Sequence, residues 1–132
     1  MDWLSSNSIS ITQKTLDNLW QSQRISLENI ANAETPNYKA KYVTFEDELR
    51  SSLNRVNRRG TSRNRIKGIV ANAIENGGIN VHTDNSETTR ADNNNVDLDS
   101  EYVELARNQL QYQYAVKHVT SELSRIRTAI EG

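Results

Sequence analysis

The chain has no cysteine, and its 132 residues include one proline, five glycines and few aromatic side chains, 6% in all. Without thiols there is no disulfide framework, no thiolate nucleophile and no cysteine metal site, and redox chemistry says nothing of the compartment. The absence suits a protein that leaves the cytoplasm unfolded. Hydrophobic residues are also scarce, at 35%, and the mean hydropathy of -0.79 leaves material for only a thin core. No apolar run approaches the roughly 20 residues of a membrane-spanning helix. The start, Met1-Asp2-Trp3-Leu4-Ser5-Ser6-Asn7, lacks a basic region followed by an apolar core, so no cleaved secretory signal is expected. A formal net charge of -1 argues against a generally basic nucleic-acid protein.

The catalytic inventory is equally short. His82 and His118 are the only histidines, and neither has a nucleophile or carboxylate at motif spacing. Neither GxxxxGK[ST] nor GxGxxG occurs, and Gly77-Gly78 alone reads as a turn. Asp92, Asp97, Asp99 and Glu101 lack the twelve-residue calcium-loop pattern with its central glycine, and acidic residues at a helix start have a sufficient explanation in the helix dipole. No enzyme, cofactor or metal site is therefore expected.

What the chain does have is two heptad patterns, one at each end. Ile9, Gln13, Leu16, Trp20, Gln23, Leu27 and Ile30 alternate spacings of 4 and 3, widened by Leu19 and Ala31. Pro36 biases Thr35 away from the α region and Asn37 tolerates positive φ, so the first helix ends near Asn32. At the other end Tyr102, Leu105, Gln109, Tyr112, Val116, Val119, Leu123, Ile126 and Ile130 keep the same alternation. Acidic Asp97, Asp99, Glu101 and Glu104 crowd the start of that helix, with Arg125 and Arg127 near its end. The expected fold is mostly α, with long N- and C-terminal helices paired in a coiled-coil-like bundle around a short helix and a flexible, partly extended middle. Leu16, Trp20, Leu27 and Ile30 are expected to face Leu105, Tyr112, Val119 and Ile126.

The middle is less regular. Tyr38, Ala40 and Tyr42 share one side of an extended piece. Thr44-Phe45-Glu46-Asp47 resembles a capping box opening a short helix through Leu49, Leu53 and Val56. Ile66, Ile69, Val70, Ala73 and Ile74 fit a helical face, although Asn76-Gly77 before Ile79-Asn80-Val81 also fits a hairpin. The polar run from Thr83 to Asn95 reads as a mobile loop. The organisation is thus 1–56, a variable segment 57–95, and 96–132, the outer two forming one discontinuous domain. Between Arg50 and Lys67 stand seven basic residues, Arg50, Arg55, Arg58, Arg59, Arg63, Arg65 and Lys67, and no acidic one. That segment offers an alternative reading, a small module binding nucleic acid or an anionic surface. Against it, no aromatic side chain interleaves to stack bases.

Two stripes of this kind, interrupted by Gln13, Gln23 and Gln109, make a marginal pair on their own. Packing against the helices of other chains would remove the deficit, and that is the physical case for an assembly subunit. A soluble coiled-coil adaptor is a weaker rival.

A resemblance sharpens this. Asn29-Ile30-Ala31-Asn32-Ala33-Glu34-Thr35-Pro36-Asn37-Tyr38, followed by Phe45, resembles the amino-terminal signature of flagellar rod and hook proteins. Asn95-Val96-Asp97, Glu101, Leu105-Ala106, Asn108, Leu110 and Tyr112 resemble the carboxy-terminal pattern of the proximal rod family, FlgB. The likeness covers roughly residues 10–50 and 93–131, with Asn37 in place of the usual glycine and Glu34 in place of aspartate. It implies a structural subunit of the bacterial flagellar basal-body rod, polymerising through its terminal helices into part of the drive shaft around the export channel. It implies export by the flagellar type III apparatus without signal cleavage. The implied partners are other rod subunits, membrane-ring and hook-basal-body proteins and the export apparatus, with no nucleic acid and no transmembrane segment. By the same resemblance Asn29, Ala31, Asn32, Ala33, Thr35, Pro36 and Tyr38 form the signature helix end and turn. Helix packing and assembly fall to Leu16, Leu19, Trp20, Leu27, Ile30, Leu105, Tyr112, Val116, Val119, Leu123 and Ile126.

Overall fold

Thirty consecutive residues without proline or glycine, Asp2–Ala31, form the first helix, α1, about 45 Å long at the usual rise. In the computed structural model residues 2–44, 54 and 78–132 are described. The short helix expected through Val56, the Ile66 to Ile74 face and the basic Arg50 to Lys67 segment lie outside the described residues.

α1 stops where the sequence says it should. The Asn32 side chain turns back to donate to Glu28 O at 2.8 Å, and Thr35 N donates to Asn32 O at 3.0 Å, closing a tight turn. Pro36 occupies that turn, and Asn37 follows it with φ of 61°. This left-handed conformation suits glycine best and asparagine next. The chain then extends into β1, Lys41–Thr44, which pairs antiparallel with β2, Asn80–Thr83. Tyr42 faces His82 in this register and the two rings stack with centroids 5.5 Å apart. An extended piece is thus present around Val81, paired with β1, and the Asn76-Gly77 turn of the expected hairpin lies outside the described residues.

After Thr83 the chain has no regular structure until α2, Leu98–Glu131. The stretch read as a mobile loop is nonetheless tied down. Asp84 N donates to Ala40 O, the Asn95 side chain bridges Ala40 N and Asp84 O, and Asn94 is wholly buried. Asp97 caps α2, its carboxylate accepting from Asp99 N and Ser100 N, and Gly132, with φ of 60°, closes it. Arg125 and Arg127 stop short of the last turn; Arg125 pairs with Glu122 and Arg127 with Glu131.

Two hydrogen bonds set the relation of the long helices. Asn29 on α1 reaches Glu101 on α2, and one heptad back along α1 Ser22 accepts from Asn108, one heptad on along α2. The helices therefore run antiparallel, as a hairpin closed near the turn. The facing residues differ in part from those expected: Leu16, Ile30, Leu105, Val119 and Ile126 are half-buried, but others stand outward. Trp20 is 58% exposed, Leu27 51% and Leu123 52%, whereas Thr12, Leu19, Ser26 and Asn29 are buried. On α1 the inward stripe sits one residue before the apolar one. On α2 the single buried residue is Asn108, again one residue before Gln109 of the expected seam. The reason is chemical: buried hydrogen-bonding side chains must meet partners, and those partners lie on the facing helix. Among the described residues the buried apolar core is Leu19, Ile25, Ala33 and Val96.

Candidate functional site

Where the two helices meet the turn, a clasp of amide side chains joins segments far apart in sequence. Asn29 is its hub. Its Nδ2 donates to Lys41 O and to Glu101 Oε1, each at 2.7 Å, and its Oδ1 accepts from Lys41 N at 2.9 Å and from the Tyr38 hydroxyl at 3.1 Å. Every hydrogen-bonding position of that amide is in use, in a residue with no exposed surface. One side chain thus joins α1, the signature turn, β1 and α2.

Asn94 makes the second half of the clasp. Its Nδ2 donates to Asn32 O and Thr35 O, both at 2.9 Å, and its Oδ1 accepts from Val96 N at 2.8 Å. It thereby gives a second donor to carbonyls of the turn that already accept Thr35 N and Tyr38 N. The Asn37 N–H donates to Asp92 O at 2.8 Å, and Lys39 reaches Asn93 and Ser86. Ala33, between Asn32 and Thr35 of the turn, is buried at 3% exposure.

Charge follows the same geometry. Burial pushes the Glu101 carboxyl above its ordinary range; hydrogen bonds from Asn29 and Ser26 pull it back, and the Glu104 and Asp97 carboxylates push it up further. Burial likewise raises the Tyr38 hydroxyl, aided by Glu28. Lys41 is held up by its hydrogen bond to Glu28, with which it forms an ion pair. Asp97 is held down by the Ser100 hydroxyl and then the Ser100 N–H.

The clasp gathers Asn29, Asn32, Ala33, Thr35 and Tyr38 of the signature, while Ala31 and Pro36 stand exposed beside it. The helix residues divide differently. Leu19 is buried; Leu16, Ile30, Leu105, Val119 and Ile126 are half-buried; Trp20, Leu27, Tyr112, Val116 and Leu123 face solvent. Sequence reasoning attached no role to Ser22, Asn94 or Asn108, and read Glu101 as a dipole partner rather than a ligand of Asn29. The signal for Asn94 was its place in Asn93-Asn94-Asn95, one residue short of the cap Asp97, since asparagine side chains imitate the backbone near helix ends.

An arrangement that spends its buried polar groups on holding two long helices together, and among the described residues turns Trp20, Tyr112 and Leu123 outward, has the form of a helical structural protein. Among the described residues no helix is long and apolar enough to cross a membrane. No family model matches the chain, but whole-length relatives do. It is 32% identical over 129 residues to the flagellar basal body rod protein FlgB of Bacillus subtilis, covering 98% of this chain and 97% of that protein. To the protein of the same name from Borrelia hermsii it is 36% identical over 112 residues, covering 80% and 82%. To that of Salmonella typhimurium it is 28% identical over 130 residues, covering 91% and 90%. The chain belongs to the FlgB family of flagellar basal body rod proteins.

Proposed function

We propose that this rod protein works by self-assembly through its terminal helices, forming part of a torque-transmitting shaft in the proximal rod around the export channel. The observation that carries the reading is the inversion of the helix pair: amides and hydroxyls lie between α1 and α2, while Trp20, Leu27, Tyr112 and Leu123 stand in solvent. Exposed apolar surface of this kind marks an interaction site. Torque would pass between subunits because each clasped hairpin resists shear, and many weak contacts share the load. The neighbours in this reading are other rod subunits and basal-body proteins, and the route outward is the flagellar type III apparatus without signal cleavage.

Assembly order would follow from folding. A hairpin with so little buried apolar surface among its described residues is marginal alone and gains further order when docked, so growth is favoured at the existing structure and premature polymerisation is suppressed. Circular dichroism of the dilute chain against its assembled form tests this, with a rise in helicity expected on assembly. Deletion of the gene, followed by electron microscopy of basal bodies, tests the placement. Cells that build complete rods and swim without the protein would refute it.

A further inference from the structure

The apolar stripe on each long helix lies on the C-terminal side of the residues that face the other helix. On α1 Trp20 follows buried Leu19 and Leu27 follows buried Ser26; on α2 Tyr102 follows Glu101, Tyr112 follows Gln111 and Val116 follows Ala115, the first of each pair being the less exposed. In an antiparallel pair, displacements of the same sense turn both stripes to the same side of the hairpin, because the two helices wind in opposite directions when viewed from one end. Trp20 and Leu27 from α1 therefore join Tyr102, Tyr112, Val116 and Leu123 from α2 in one face two helices wide. Each of these side chains offers roughly 100 Å², so the face is on the order of 600 Å², against the about 800 Å² that each partner buries in a standard interface.

A second apolar feature points the other way. Val103, Leu110 and Tyr114 form a ridge on the flank of α2 turned away from both α1 and this face, and they are 68%, 57% and 73% exposed. The face contains a groove between two antiparallel helices, and a groove of that form takes the ridge of a third helix. Among the described residues this ridge is the one outward row of large apolar side chains at helical spacing that lies off the face.

We infer that copies of this chain meet front to back, the Val103-Leu110-Tyr114 ridge of one copy lying in the apolar groove between α1 and α2 of the next. This rests on the self-assembly reading and deepens it by naming the two surfaces and their pairing. Ridge and groove occupy opposite sides of α2, so a pair of copies cannot satisfy both at once. Each addition leaves one ridge and one groove free, the property of a heterologous contact that repeats into a ring or a helical filament. The polar contacts Asn29 to Glu101 and Asn108 to Ser22 fix which side the stripes take, and so act as positioning residues for the groove.

Because the chain has no cysteine, single substitutions give an unambiguous test. Full-length Val116→Cys and Leu110→Cys proteins, carrying different fluorophores on their amino termini, are mixed under assembly conditions and mildly oxidised. Groove-to-ridge disulfides are expected at least tenfold over either homodisulfide. As a second arm, Leu110→Glu should stop growth, and mixing it with Val116→Lys should restore mixed assemblies. Dominant Val116-to-Val116 or Leu110-to-Leu110 linkage in a chain that does assemble would overturn the front-to-back pairing and leave self-assembly standing. A wild-type chain that stays monomeric by sedimentation at every concentration, with no disulfide in either mixture, would overturn both.

Discussion

At the junction of α1 and α2 nearly every buried polar group is matched inside the chain, whereas along the flanks of the same helices the largest apolar groups stand in solvent. The two regions are built from opposite materials. Asn29 and Asn94, each with no exposed surface, hold the junction through directional bonds of 2.7 to 3.1 Å. The flanks carry Trp20, Tyr112 and Leu123, whose burial is non-directional and needs another surface. The difference teaches that hydrogen bonds define the hairpin, which leaves apolar surface free for the assembly proposed above.

The comparison is put under most strain at Asn29. Replacing it by alanine leaves Lys41 N, Lys41 O, the Tyr38 hydroxyl and the partly buried Glu101 carboxylate without their shared partner. Orphaned buried groups of this kind cost about 3 kcal/mol in total. Urea titration followed by circular dichroism should show that loss in Asn29→Ala. A loss below about 0.5 kcal/mol would mean that the junction does not hold the hairpin.

Asn94→Ala should cost less, about 2 kcal/mol, since it orphans the buried Val96 N–H and removes the second donor from two carbonyls rather than undoing a junction of four segments. Its effect should be local: hydrogen exchange would rise at the last turn of α1 and at Val96 before the middle of either helix responds. Uniform acceleration along both helices would instead make Asn94 part of one cooperative unit with Asn29.

A smaller effect distinguishes the two carboxylates at the start of α2. Burial raises the folded pKa of Glu101, so the folded hairpin holds this proton more tightly than the unfolded chain does. Its contribution is unfavourable above the folded pKa and is relieved as pH falls through that value toward the ordinary carboxylate range. Asp97 has the opposite sign: hydrogen bonds from Ser100 depress its pKa, giving stability that is present above the ordinary value and lost as pH falls through the depressed one. In Glu101→Gln, urea midpoints measured from about pH 7 to about pH 4 should lose the acid-side relief and keep the Asp97 decline. Identical pH profiles for variant and wild type would show that Glu101 is not desolvated by the clasp.

Much of this was legible in the residues, and the errors have physical causes. The end of α1, the turn through Pro36 and the positive φ of Asn37 follow from local chemistry, and local chemistry decided them. The helix pair was legible both as two helices and as their packing together, but which residues face inward was legible only in part. A heptad reading assumes that the apolar stripe meets the nearest helix, and here Leu19, Ser26 and Asn108 lie inward where Trp20, Leu27 and Gln109 were expected, while Leu16, Ile30, Leu105, Val119 and Ile126 keep half-buried places. The Thr83 to Asn95 run looked too polar to order because composition counts asparagine as solvated. Buried Asn94 and half-buried Asn95 act instead as substitutes for backbone groups. The pairing of β1 with β2 depends on a contact between distant segments, for which no local pattern exists.

The sharpest separation of the two regions comes from the substitution with the smallest effect on folding. Trp20 is more than half exposed and its neighbour Leu19, not Trp20, fills the interior. Trp20→Lys should therefore change the urea midpoint by no more than about 0.5 kcal/mol, as surface substitutions do. The same change removes an aromatic anchor of the type that dominates interfaces, so sedimentation should show assembly lost while the helicity of the dilute chain is kept. A fall of about 2 kcal/mol or more in the dilute chain would place Trp20 within the fold. The outward stripe would then be part of the hairpin's own stability, and the division between polar folding and apolar assembly would fail at the residue where it is most exposed to test.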